Sequence, residues 1–127
     1  MGFDQYHEPP DELPAKTRTF ARLCASLTEE AEAIGWYEQR IAVEEDPEAL
    51  GVMRNAQTEE FKHFAMDLEF LLRRTPTWRA IARAVLFTEG DIVDAGEEAE
   101  GEAGLGGSGG GAQPGSLGIG SLKGAGL

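Results

Sequence analysis

Glu60 and His63 stand three positions apart, a spacing that places both side chains on one face of a helix, where a carboxylate and an imidazole can hold a cation together. Glu30 enters through a pattern. The apolar series Phe20, Leu23, Leu27, Ile34, Tyr37 and Ile41 advances by threes and fours, and its missing member is position 30, a glutamate where a leucine belongs. A second series, Leu50, Met53, Phe61, Phe64, Leu68 and Leu71, carries Glu60 and His63 on or beside it. Burying an unpaired carboxylate costs several kcal/mol, so glutamates on a core stripe call for a proton, a cation or a metal. A lone glutamate at the edge of the stripe would simply reach water.

The elements that position these residues decide between the two. Pro14, Asp46-Pro47-Glu48 and Thr75-Pro76 are helix-start signals, with Asp46 placed to cap and Glu48 set on the positive end of a helix dipole. They predict helices over roughly 14–44, 47–74 and 76–87, the last closed by Thr88-Glu89-Gly90. Alternating β-branched segments of useful length are absent, so the expected fold class is all-α: a two-helix antiparallel hairpin plus a short third helix. With the corner centred on residue 45, Glu30 lies fifteen positions before it and Glu60 fifteen after it. Each is then about 22 Å down its helix, and the two meet at one level of the hairpin.

Di-iron sites in helix bundles draw one Glu from each of two helices and a Glu-x-x-His from each of the other two. This chain offers one of each, which is half a site. A two-fold dimer would gather two copies of Glu30, Glu60 and His63, and four glutamates would balance the charge of two Fe²⁺ ions. Carboxylate-rich ligation with one imidazole per metal suits iron or manganese, with zinc a further occupant. Glu29, Glu32 and Trp36 share a different face at i, i+3, i+7. In a dimer they would form a four-carboxylate vestibule with the Trp36 ring beside it; the same spacing also fits a solvated acidic face. Tyr37 falls on the Glu30 face, where its hydroxyl can bond a ligand carboxylate or its ring can fill core.

Composition sets the outer limits. A chain of 127 residues has room for one small domain. Thirteen of its seventeen glycines fall from Gly96 onward, so the core is small and association is expected. There are 23 acidic residues against 11 basic ones, a net charge of -12, and residues 1–88 alone hold 16 acids and 10 bases. That sign excludes wrapping of nucleic acid. Neither a basic, apolar leader nor the ~20 apolar residues of a membrane span is present, which makes a cytoplasmic location and no membrane partner the expectation. The single Cys24, beside Leu23 and Leu27, reads as a small core residue. His7 belongs to the polar arm, and Gly35 costs roughly 1 kcal/mol inside its helix. The expected organisation is an arm over 1–13, a helical domain over 14–92, a flexible acidic, Gly-rich linker over 93–115 and a terminal peptide over 116–127.

The segments Glu29-Glu30-Ala31-Glu32-Ala33-Ile34-Gly35-Trp36-Tyr37-Glu38-Gln39-Arg40, Glu59-Glu60-Phe61-Lys62-His63-Phe64-Ala65-Met66 and Leu86-Phe87-Thr88-Glu89-Gly90 closely resemble the encapsulated ferritins. The resemblance spans residues 7–92. It implies a half-ferritin that dimerises into a four-helix bundle, five dimers forming a ring of ten subunits. It implies a ferroxidase, oxidising Fe²⁺ with oxygen at a di-iron centre shared between two subunits. Glu30, Glu60 and His63 match the ferroxidase ligands, with Glu60 bridging, Glu29, Glu32 and Trp36 match the site that admits iron, and Tyr37 matches the tyrosine beside the centre. Phe61 and Phe64 set aromatics around His63 where related sequences are more polar. The island Ser116-Leu117-Gly118-Ile119-Gly120-Ser121-Leu122-Lys123 resembles the peptides that dock cargo inside encapsulin shells, with Leu117, Ile119 and Leu122 as anchors. A ring of tethered copies would bind by avidity. The implied place of work is inside an encapsulin nanocompartment in the cytoplasm.

Two other readings fit parts of the sequence. A rubrerythrin-like, peroxide-reducing di-iron protein would ordinarily carry an electron-transfer module, and the chain has no Cys-x-x-Cys. A non-enzymatic coiled-coil adaptor would use stripe glutamates to set register.

Overall fold

The computed structural model of the chain describes residues 6–104. Four α-helices follow a short 3-10 turn at Pro10–Glu12: α1 (Ala15–Val43), α2 (Pro47–Arg73), α3 (Pro76–Val85) and α4 (Ile92–Glu102). No strand occurs among the described residues, as the all-α expectation requires. Two compact units divide the chain, residues 1–71 and residues 72–127.

In the first unit the proline signals act as anticipated, with one adjustment. Pro14 is the cap of α1 and not its first residue. Its carbonyl accepts the N–H groups of Thr17 and Arg18 at 3.0 and 3.1 Å. The Arg18 guanidinium donates back to the carbonyls of Pro10 and Leu13, tying the arm to the helix it precedes. At the corner Asp46 does two jobs. Its Oδ1 accepts the Ala49 N–H at 2.9 Å, capping α2, and its own N–H donates to Glu44 Oε2 at 3.0 Å. A donor orphaned at the helix start is thereby satisfied and the chain reversal is locked.

Halfway along the hairpin, the buried Gln57 joins the two helices. Its Nε2 donates to the Ile34 carbonyl at 3.2 Å and to Glu38 Oε1 at 3.0 Å. An amide that lost these acceptors would be a buried orphan, so the bonds hold the register of α2 against α1. Apolar burial is thin: Trp36, Val52, Phe61 and Met66 all stay more than half exposed. The stripe residues are mostly half-buried, with Leu71 closed off completely and Phe61 the exception that stays open. Cys24 is half-buried, and desolvation pushes its thiol up from 9.0, away from nucleophilic reactivity.

In the second unit α3 ends at Val85, two residues before the expected end. Leu86 is extended, Phe87 takes a left-handed φ of 64°, and the Thr88 hydroxyl closes the turn on the Val85 carbonyl at 2.6 Å. Gly90, at φ 91°, supplies a second left-handed residue at no steric cost. The chain then departs from expectation. Residues 92–102 are helical, so the start of the segment read as linker is α4. Asp91 Oδ1 accepts the Asp94 N–H at 2.9 Å and caps it, while α4 packs on α3 and buries Ala99. Glycine content masked a sound start signal and an alanine spacing of four at Ala95, Ala99 and Ala103. No helix among the described residues is long and apolar enough to cross a membrane. The terminal peptide, with Leu117, Ile119 and Leu122, lies outside the described residues.

Candidate metal centre

Glu30 comes from the middle of α1, Glu60 and His63 from the middle of α2, and the hairpin sets them at the same level. One ligand atom from each of the three lies within 4.8 Å of the other two. Within the pair on α2, His63 Nδ1 is 3.6 Å from Glu60 Oε1, the outcome of a one-turn spacing on one helical face. The two glutamates are half-buried and the histidine is exposed. Two carboxylates and an imidazole, open to one side, are a donor set for a divalent cation with ligand positions left over.

The electrostatics of Glu30 follow from this crowding. Burial, a hydrogen bond with the Asp67 carboxyl and the negative charges of Asp67, Glu60 and Glu29 together raise it from 4.5 to about 7. Its Oε1 and Asp67 Oδ2 are both shielded from water, and no donor from a third residue reaches them. A carboxylate so placed lacks a positive partner, and a bound cation would supply one. The residues therefore fit a metal on the evidence of an orphaned oxygen as well as donor type. On the outer face of α2, Glu59 finds its own cation in Lys62 at 2.8 Å, which lowers the Glu59 pKa.

The other sequence-selected residues stay outside the three-ligand cluster within one chain. Glu29, Glu32 and Trp36 are exposed along α1, and Glu29 touches the centre only through its charge on Glu30. Tyr37 is half-buried, with the Arg40 guanidinium 5.2 Å from its ring centroid, a cation–π contact across one turn. Sequence reading missed Asp67. The available signal was its position four residues after His63 and seven after Glu60, on the same helical face.

The EncFtn-like family model matches residues 5–89, from the N-terminal arm to just past α3. The chain belongs to the EncFtn-like family. An encapsulated ferritin-like protein of Rhodospirillum rubrum is 43% identical over 124 residues, covering 93% of this chain and 87% of that protein. A ferritin-like protein of Thermotoga maritima is 43% identical over 98 residues, or 77% of this EncFtn-like chain and 86% of the relative. Among solved structures, a crystal structure of a Nitrosomonas europaea protein aligns with a TM-score of 0.67 at 37% identity, covering 70% of this chain and 98% of that one. The family match ends before α4, whereas the Rhodospirillum alignment covers enough of the chain to reach into the Gly-rich tail.

Proposed function

We propose that the protein is a ferroxidase: two copies of the chain bind two Fe²⁺ ions between them, oxidise them to Fe³⁺ and release the product for mineral storage inside an encapsulin shell. An iron-related, ferritin-like role follows from family membership. The finer reading rests on one observation, the convergence of Glu30, Glu60 and His63 to within 4.8 Å. One chain supplies two carboxylates and one imidazole, half of what a binuclear carboxylate centre uses. Two-fold symmetry would supply the rest, and the exposed Trp36, Phe61 and Met66 on the two helices give such a dimer apolar surface to cover. Ring assembly of five dimers belongs to the same proposal.

Iron is the substrate here, and the side chains bind and orient it. Glu30, placed among carboxylates, becomes a ligand as its proton leaves to water and the arriving cation takes its place. Glu60 is set to bridge, and His63 fixes one metal on its own side. Each Fe²⁺ yields one electron, and dioxygen or peroxide takes up the pair. Glu29, Glu32 and Trp36 on the exposed face of α1 would admit iron from solvent, and Tyr37 would stand beside the centre. Encapsulation is supported by the Rhodospirillum relative described as encapsulated and by the apolar Leu117, Ile119 and Leu122 in the tail.

Aerobic Fe²⁺ addition, followed by the ferric absorbance, tests the proposal. The wild-type protein is expected to oxidise iron well above the buffer rate, and Glu60→Ala and His63→Ala to return it to that rate. Wild-type protein that never exceeds buffer would sink the ferroxidase reading and favour an adaptor. Either variant retaining two metals per dimer would refute the ligand assignment.

A further inference from the structure

Asp67 is the one carboxylate in contact with the candidate centre that donor spacing did not single out. It lies seven residues beyond Glu60 on α2, about 10 Å further from the corner at 1.5 Å per residue. It still reaches Glu30, for a geometric reason. Side chains on a helix lean toward its N-terminus. On α1 that direction runs away from the corner and on α2 it runs toward it, so Glu30 and Asp67 lean into one another.

The contact they make is unusual in its chemistry. Both groups are acceptors when ionised, Glu30 Oε1 and Asp67 Oδ2 are both closed off from water, and no donor from a third residue reaches either, so only a proton shared between the two carboxyls can join them. A carboxylate that served only solubility would turn outward, as Glu59 does toward Lys62. Asp67 instead turns its oxygen inward, to a side chain whose other neighbour is Glu60. Such an arrangement costs the metal-free chain stability, and what it returns is a Glu30 side chain with a restricted set of directions.

We infer that Asp67 is a positioning residue of the metal centre, acting through Glu30: it fixes the direction in which the Glu30 carboxyl is presented to Glu60 and His63. The inference rests on the reading of Glu30 as a ligand. Asp67 does not itself belong to the three-atom cluster, which sets it apart from a direct ligand.

Anaerobic titration of the full-length protein with Co²⁺ tests this, since the cobalt absorption bands report ligand geometry as well as occupancy. Wild type, Asp67→Ala, Asp67→Asn and Glu30→Ala are compared at pH 8. Asp67→Ala is expected to lose about 10- to 100-fold in Co²⁺ affinity, the usual cost of removing a residue that orients a ligand, and to change the band shape. Asp67→Asn, whose amide can donate to Glu30, is expected to stay near wild type. The metal-free melting temperature should rise in both variants, because a facing carboxyl has been removed. Loss of affinity with gain of stability is not what a merely structural residue produces. Unchanged affinity in Asp67→Ala overturns the inference, and so does Asp67→Asn falling as far as Asp67→Ala, which would make Asp67 a ligand. A fall in melting temperature alongside affinity also overturns it. Glu30→Ala separates the two levels of the argument: if it binds Co²⁺ like wild type, the ligand reading itself has failed, whatever the Asp67 variants do.

Discussion

Replacing Glu30 by Gln should remove a pH dependence that the iron-free protein otherwise carries. The folded chain holds the Glu30 carboxyl at about 7, against 4.5 for the free group, because of burial, the Asp67 contact and neighbouring negative charge. Between those values the folded state binds the proton that the unfolded state has released, so stability is fully present below 4.5 and declines as pH rises to about 7. At 1.36 kcal/mol per pKa unit the full effect would be about 3 kcal/mol. The side chain is only half-buried, and solvent screening reduces this to about 1 kcal/mol. For a small domain that corresponds to roughly 4–8 °C in melting temperature. Circular dichroism melts of iron-free protein at pH 4.5 and pH 8 measure it, with Glu30→Gln melted alongside, since Gln keeps the shape and offers an N–H to Asp67. The wild-type protein should lose those degrees on going to pH 8, and the variant should not. Addition of a divalent metal should reverse the wild-type trend, because cations bind the ionised carboxylate. If Glu30→Gln shows the same decline as wild type, the crowding of Glu30 is not what governs the pH response.

Gln57→Ala leaves every proposed ligand in place but removes the side-chain bonds to the Ile34 carbonyl and Glu38, and should cost about 1 kcal/mol, read as a lower denaturant midpoint. Its weaker metal binding should recover when the helices are clamped by dimer formation at high protein concentration. Phe87 is fully exposed and left-handed, so Phe87→Gly should stabilise the protein by about 1 kcal/mol, read as a higher melting temperature. A fall instead would show that the ring is covered in the assembled protein.

Much of this arrangement was legible beforehand because proline and aspartate speak locally. Pro47 and Pro76 start their helices where the sequence places them, and Asp46 caps as its type demands. Counting residues outward from that corner was enough to bring Glu30 level with Glu60 and His63, since rise per residue is a constant of the helix. Features that escaped were of two kinds. Helix α4 was obscured because glycine propensity is a weak vote, and packing against α3 overrides it. Asp67 was missed although its spacing puts it on the Glu60 and His63 face, because what brings it to Glu30 is the lean of side chains across two antiparallel helices. Glu29, Glu32 and Trp36 keep the spacing that singled them out, and within one chain they lie on an exposed face of α1, apart from the three ligands.

The hydrogen-bonded corner at Glu44, Glu45 and Asp46 works as a fixed datum for everything that follows it. One inserted residue between Asp46 and Glu60 would swing every later α2 side chain by about 100° and carry it 1.5 Å along the axis. Glu60 and His63 would then look away from Glu30 while still being present in the sequence. Length in this stretch is thus as strictly constrained as the identity of the donors themselves, and a gene that drifts here by insertion or deletion loses the centre without altering a single ligand codon.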